Sequence, residues 1–162
     1  MSSENDLRTH LARLLDWSEA HVGFDAAVDG VPAELRGVRP QGLPWSPWEL
    51  LEHLRLVQRD ILEFCVESGY AEKSWPQEFW PKTPAPPAAA AWEESVAAFR
   101  ADRERLKRLA ADPGVDLFAA VPQGNGQTFL RELLLAADHA AYHVGELVSV
   151  RRVLGAWNPG DR

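Results

Sequence analysis

The sequence has a single cysteine, Cys65, no long apolar segment and no excess of basic residues. One cysteine cannot form an intramolecular disulfide, and this composition is typical of a protein in the reducing cytoplasm. No segment approaches the ~20 apolar residues of a membrane-spanning helix. The N-terminal residues, MSSENDLRTH, lack the basic start and apolar run of a secretory signal. We therefore expect a cytoplasmic protein.

The net charge of −7 comes from 17 basic and 24 acidic residues. Proteins that bind nucleic acid non-specifically need a basic face to displace counterions from the phosphates. We therefore expect neither nucleic acid nor an anionic membrane as a partner. The length of 162 residues predicts one domain over residues 1–162. A composition of 46% hydrophobic and 25% charged residues is typical of a globular protein.

Four stretches have apolar residues at the three- and four-residue steps of amphipathic helices. They cover about residues 4–28, 46–68, 89–111 and 128–154. The second has the clearest start, a capping box at residues 46–49 with proline at the first helical position, and Gly69 is its expected terminator. The connectors are longer than those that usually join neighbouring bundle helices. We predict an all-α four-helix bundle with long crossover connections.

Two other segments invite a functional interpretation. Prolines between Pro76 and Pro87 preclude a regular helix through most of the connector 75–92. Its aromatic residues Trp75, Phe79 and Trp80 favour a loop that packs on the helices. Alternatively, these residues could form a roof over a metal cleft or a dimerisation surface. The charged run RADRERLKRL is predicted to be the solvated face of the third helix and not a nucleic-acid patch.

Two of the five histidines, His139 and His143, lie four residues apart in the fourth predicted helix. Four residues turn a helix by about 400°, so the two imidazoles share one face about 6 Å apart along the axis. Such a pair can bind a divalent transition metal ion. Apolar neighbours indicate that this face points to the bundle interior, where an unpartnered polar group costs about 1–3 kcal/mol. A bound cation would remove most of that cost.

A third ligand has to come from another helix. His53 is the best candidate, because it lies one turn after Glu49 at the edge of the apolar stripe of the second helix. His10 and His21 are separated by about 16 Å along the first helix and cannot share one ion, but either one alone is compatible with the geometry. We interpret both as histidines at the surface or at the edge of the interior.

Two segments of the sequence resemble the DinB/YfiT-like family of metalloproteins. They are WSPWELLEHL and, far downstream, TFLRELLLAADHAAYHVGEL followed by RRVLG. The resemblance implies a four-helix bundle with a metal site at its middle. It also implies one histidine ligand on the second helix and an HxxxH pair on the fourth, followed by x-G-Q/E. Here those positions are His53, His139, His143, Gly145 and Glu146.

Three neutral imidazoles leave a divalent ion with open positions, which is typical of a catalytic site. Imidazole suits zinc, nickel or iron, and ligand type does not choose among them. Glu146 is the candidate catalytic residue, because it could orient a ligand imidazole through the second ring nitrogen. An ion pair with Arg151 or Arg152 is its alternative role.

Three further residues are weaker candidates for chemistry. Glu49 and Asp60 could orient a ligand or act as a general base. Cys65 lies about 18 Å past His53 along the second helix, which is too far for ligation. We interpret Cys65 as a small buried apolar residue.

The resemblance also implies a function. Relatives include metal-dependent transferases and isomerases that use a low-molecular-weight thiol such as bacillithiol or mycothiol. We therefore predict a cytoplasmic metalloenzyme of the thiol S-transferase or isomerase type that activates a thiol or water for a small-molecule substrate. A homodimer is also implied. The alternative is a non-catalytic metal-binding or stress-associated interaction bundle.

Overall fold

A computed structural model describes residues 3–157. Its helices are α1 (Ser3–Leu14), α2 (Phe24–Val28), α3 (Pro47–Val66), α4 (Ala91–Ala111) and α5 (Phe129–Val153), with a 3-10 turn at Ala33–Leu35. The β pairing within these described residues is one isolated bridge between Ala120 and Thr128. The predicted all-α bundle is confirmed. None of the helices in the described part of the chain is long and apolar enough to cross a membrane.

The bundle is organised around α3. This helix packs most extensively against α5 and α4, whereas α1 packs mainly against α4 and only slightly against α5. The main neighbour of α1 is therefore α4, and not α3, which is the next long helix in the chain. The connection from α1 to α3 therefore joins two helices that are not close neighbours, as the predicted crossover does.

The start of α3 is fixed by its predicted capping box. Ser46 Oγ accepts a hydrogen bond of 3.2 Å from Glu49 N, and the Glu49 carboxylate accepts one of 2.9 Å from Ser46 N. The helix ends at Val66, before the predicted terminator Gly69. The left-handed conformation typical of a terminating glycine occurs two residues after the end of α2, at Gly30 with φ 63°, and two residues after the end of α5, at Gly155 with φ 69°.

The prediction of one helix over residues 4–28 is wrong. The helix is interrupted between Leu14 and Phe24, and α2 begins only after Gly23. A helix that continued past Leu15 would place Ser18 and Glu19, three and four residues later, on its buried face. Both are polar, so the apolar stripe is interrupted there. The chain turns over the bundle surface and resumes a helix at the next apolar residue.

The prediction that the charged run of α4 is solvated is also wrong in part. Asp102 and Arg103 are 1% and 8% exposed. Asp102 forms an ion pair of 2.7 Å with Arg59 of α3, and Arg103 forms one of 2.9 Å with Asp25 of α2. The sequence pattern does not reveal that Asp102 and Arg103 are buried. A long arginine side chain can reach a carboxylate on a neighbouring helix without any change in the spacing of the apolar residues.

The connector between α3 and α4 packs onto the bundle. Phe79 is buried, and Trp80 contacts apolar residues of both halves of the core. Trp75 is exposed over 65% of its surface. The connector is a packed loop, which is the first of the three interpretations that its composition allowed.

Removal of the α3 cap is expected to destabilise the bundle. Ser46→Ala deletes the oxygen that accepts from Glu49 N and donates to the Pro84 carbonyl. The loss of such a cap alone costs about 1 kcal/mol of unfolding free energy, so at least this loss is expected. Urea denaturation followed by circular dichroism measures the change. The matched control is Ser68→Ala at an exposed position outside the helices, where no measurable loss is expected. Equal losses in the two variants would contradict the role assigned to the cap.

Candidate metal centre

Three histidines from two helices meet in the interior of the bundle. His53 comes from α3, and His139 and His143 come from successive turns of α5. His53 is 1% and His143 9% exposed, and His139 is partly buried. One nitrogen from each ring lies within 4.8 Å of a nitrogen of the other two. The structure thus brings together the three histidines that the sequence singled out.

The orientation of His53 is fixed by the connector. Its Nδ1 donates a hydrogen bond of 2.6 Å to the backbone carbonyl of Phe79. A carbonyl oxygen can only accept, so Nδ1 carries the hydrogen and Nε2 presents a lone pair. Trp80 stacks on the His53 ring with centroids 3.8 Å apart and an angle of 5° between the planes. Nε2 of His53 lies 3.1 Å from Nε2 of His139.

The orientation of His143 is fixed within α5. Its Nδ1 lies 2.6 Å from Glu146 Oε2, and the carboxylate accepts this hydrogen bond. Nε2 of His143 is therefore the nitrogen with a free lone pair. The Tyr142 ring meets the His143 ring edge-on, with centroids 4.8 Å apart. Glu146 thus contacts a candidate ligand, whereas Arg151 donates to backbone carbonyls, including the one of Ala156.

Burial keeps the imidazoles uncharged. It lowers the pKa of His53 to about 4, against the opposing effect of the hydrogen bond to Phe79. Burial, together with the neighbouring His143 and His53, lowers the pKa of His139 to about 3. Burial also lowers the pKa of His143, although the hydrogen bond to Glu146 acts in the opposite direction. At neutral pH no proton has to leave before these nitrogens can bind a cation.

The donor set fits a divalent transition metal. Two nitrogens that share a tetrahedral zinc ion at 2.0–2.1 Å lie about 3.3 Å apart. The 3.1 Å separation of the Nε2 atoms of His53 and His139 is close to this value. Either a hydrogen shared by the two nitrogens or a cation bound by both is compatible with that distance. Imidazole nitrogens suit zinc, nickel and iron.

The carboxylates considered as weaker candidates have other partners. Glu49 belongs to the α3 cap and forms an ion pair with Arg39. Asp60 forms an ion pair of 2.8 Å with Lys73. Neither belongs to the histidine group, and both stabilise local structure.

The remaining candidates lie outside the centre. His10 and His21 are exposed, in agreement with their interpretation as bystanders. Cys65 is buried and unpaired with another cysteine, and burial raises the pKa of its thiol to about 12. The Cys65 thiolate is therefore not available as a nucleophile at neutral pH.

The contacts of Phe79 and Trp80 with His53 agree with one interpretation of the connector, a roof over the metal cleft. The signal for them was the pair of adjacent aromatic residues in a segment that the prolines keep out of a helix. A backbone carbonyl leaves no trace in residue identity, so the hydrogen bond from His53 to Phe79 could not be inferred. Trp45, which stacks on Trp80 with centroids 4.0 Å apart, extends the same aromatic layer.

Comparison with known proteins identifies one family. The sequence model of the DinB superfamily matches residues 16–147, which is most of the chain. The matched segment includes all three histidines and Glu146. The family assignment drawn from the two sequence segments is confirmed. No curated protein and no solved structure matches the chain.

The buried histidines predict a pH dependence of folding stability. The folded-state pKa values of about 4 for His53 and about 3 for His139 lie below the ordinary value of 6.5. Below pH 6.5 the unfolded chain therefore binds protons that the folded chain does not. In the presence of a chelator, the free energy of unfolding is expected to be highest above this pH and to fall as the pH decreases. Urea denaturation between about pH 7.5 and 5 measures this slope.

Two variants separate the contribution of the buried histidines to this pH dependence of the unfolding free energy from that of the carboxylates. His139→Gln removes one buried imidazole and is expected to flatten the decline below pH 6.5. His10→Gln removes an exposed imidazole and is expected to leave the decline as in the parent protein. A decline that is the same in all three proteins would show that the buried imidazoles are not its source.

Proposed function

The chain belongs to the DinB superfamily, and from that premise we propose that it is a metal-dependent thiol S-transferase or isomerase acting on a small molecule. The observation that carries the proposal is the convergence of three imidazoles, two of them buried and one partly buried, whose charged forms burial disfavours. In His53 and His143 the Nδ1–H is held by an acceptor, which is the arrangement that metal-binding histidines usually have on the ring nitrogen opposite the ion.

The residues have separate roles in this proposal. His53, His139 and His143 would hold the ion. A divalent ion held by neutral imidazoles supplies a Lewis acid that favours the thiolate form of a thiol. Glu146 is a positioning residue, because its carboxylate orients His143 through Nδ1. Phe79 does the same for His53 through its carbonyl oxygen.

The thiol has to come from outside the chain. Cys65 is the single cysteine, and its thiol pKa of about 12 keeps it protonated. A low-molecular-weight thiol such as bacillithiol or mycothiol, which the family resemblance implied, therefore enters the proposal as a cosubstrate. Zinc, nickel or iron as the ion, a cytoplasmic location and a homodimer complete the proposal.

Metal stoichiometry is the first test. The protein is stripped with a chelator, reconstituted with Zn²⁺ and analysed for bound metal. The parent protein and the His21→Ala control are expected to bind one ion per chain. His53→Ala, His139→Ala and His143→Ala are each expected to lose stoichiometric binding, because the remaining two imidazoles no longer surround the ion. Retention of the metal by the triple variant would show that the site assignment is wrong.

Thiol transfer is the second test. With bacillithiol or mycothiol and 1-chloro-2,4-dinitrobenzene, the sulfur would form a bond to the ring carbon and chloride would leave with the bonding electrons. The absorbance of the thioether product measures the rate of transfer, and we expect this rate to depend on the bound metal.

Glu146→Gln is expected to weaken zinc affinity by about 10–100-fold, because the neutral amide supports His143 less well. Glu67→Gln, at an exposed position, is the matched control.

The two readouts separate catalysis from binding. Bound zinc without metal-dependent transfer from either thiol would contradict the enzyme proposal and favour a non-catalytic metal-binding bundle. Unchanged zinc affinity in Glu146→Gln would contradict the positioning role. A change in melting temperature without a change in zinc affinity would show that Glu146 is only structural.

A further inference from the structure

A cavity of about 350 Å³ lies beside the metal centre. It is open to solvent and lies between the loop 43–45 and the part of α5 around residues 142–150. This volume falls within the roughly 300–1,000 Å³ of sites that bind small molecules. The metal centre itself does not account for this cavity, because none of the three histidines lines it.

Two side chains connect the cavity to the centre. Tyr142 and Glu146 both line the cavity, and both contact His143. Trp45 also lines it and stacks on Trp80, which in turn stacks on His53. A molecule in the cavity is therefore one side chain away from His143.

The cavity contains a glycine that the fold does not require. Gly145 lies within α5, where glycine is less favourable than alanine. Its φ is not positive, and a Cβ placed on it would meet no atom within 4 Å. Neither backbone conformation nor helix packing explains this residue. Its effect is to leave the cavity free of a side chain.

The lining of the cavity indicates what it would bind. Leu43, Trp45, Leu50 and Val150 provide apolar walls, and the one charged group is the carboxylate of Glu146. Apolar walls favour an apolar ligand. A carboxylate disfavours an anion nearby.

We propose that this cavity binds the apolar body of a neutral small-molecule substrate, and that Gly145 keeps the space for it. The substrate would then contact Tyr142 and Glu146, the two residues that lie between the cavity and His143. This inference rests on the proposed function, because it assigns the substrate of the same centre. It narrows the substrate class to uncharged compounds with an aromatic or aliphatic body.

The test uses the full zinc-loaded chain and the neutral fluorophore Prodan, 6-propionyl-2-dimethylaminonaphthalene. Prodan is expected to bind the parent protein with a blue shift of its emission and saturation at one site. Gly145→Leu would place a side chain in the cavity and is expected to weaken binding by about tenfold or more. Ala101→Leu adds the same side chain at an exposed position of α4 and is expected to bind as the parent does.

A second variant keeps the test decisive if Gly145→Leu does not fold. Ser149→Leu fills the same cavity from an exposed position one turn later and is expected to weaken Prodan binding similarly. The anionic fluorophore 8-anilinonaphthalene-1-sulfonate is expected to bind the parent more weakly than Prodan does. Equal affinity for the two fluorophores would overturn the preference for a neutral ligand.

Zinc content measured on the same samples separates this inference from the proposed function. Absence of Prodan binding in a fully zinc-loaded parent protein would overturn the cavity proposal and leave the metal centre intact. Equal Prodan affinity in the parent, Gly145→Leu and Ser149→Leu would overturn it as well. Loss of zinc from the parent protein would instead count against the proposed function.

Discussion

The hydrogen bonds that Phe79 O and Glu146 Oε2 accept from the Nδ1 atoms of His53 and His143 determine which nitrogens face the centre. Each acceptor holds a hydrogen on Nδ1 and leaves the lone pair on Nε2. Without them either tautomer could form, and the rings could rotate away from a common point. The chemistry proposed for the centre depends on this constraint, because only a lone pair can bind a cation.

The rest of the fold maintains these two hydrogen bonds. The capping box fixes where α3 begins and so sets the position of His53 relative to α5. The connector brings the Phe79 carbonyl to His53, and Trp80 holds the ring by stacking. Burial then keeps the imidazoles neutral, because the surrounding apolar side chains disfavour their charged forms. The packing of the helices and the connector thus both orients the histidine rings and keeps them uncharged.

Much of this arrangement follows from the sequence, and the exceptions have physical reasons. The Ser46 cap, the α5 helix and the pairing of His139 with His143 follow from local signals: cap chemistry, apolar spacing and the i, i+4 pair. His53 was the best candidate for the third ligand by its position, and the family resemblance pointed to it as well. The break after Leu14 was missed, because a periodic pattern was extended across residues where it lapses. The burial of Asp102 was missed, because its partner Arg59 lies on another helix.

The individual contacts of the connector, as distinct from its place over the metal cleft, could not be predicted for a different reason. They depend on a backbone carbonyl and on a loop path, and neither is encoded by residue spacing. Gly145 was identified only as part of a family motif. Its physical role, an open wall of the cavity beside Glu146, required the positions of the surrounding atoms.

Histidine tautomers provide the most direct measurement of the central claim. Long-range ¹H–¹⁵N correlation spectra of the ¹⁵N-labelled protein distinguish a ring with hydrogen on Nδ1 from one with hydrogen on Nε2. The account predicts the Nδ1–H tautomer for His53 and His143 at neutral pH, and a shift of their Nε2 signals when Zn²⁺ is added. Hydrogen on Nε2 of either ring, or zinc-dependent shifts at Nδ1 in place of Nε2, would contradict the account.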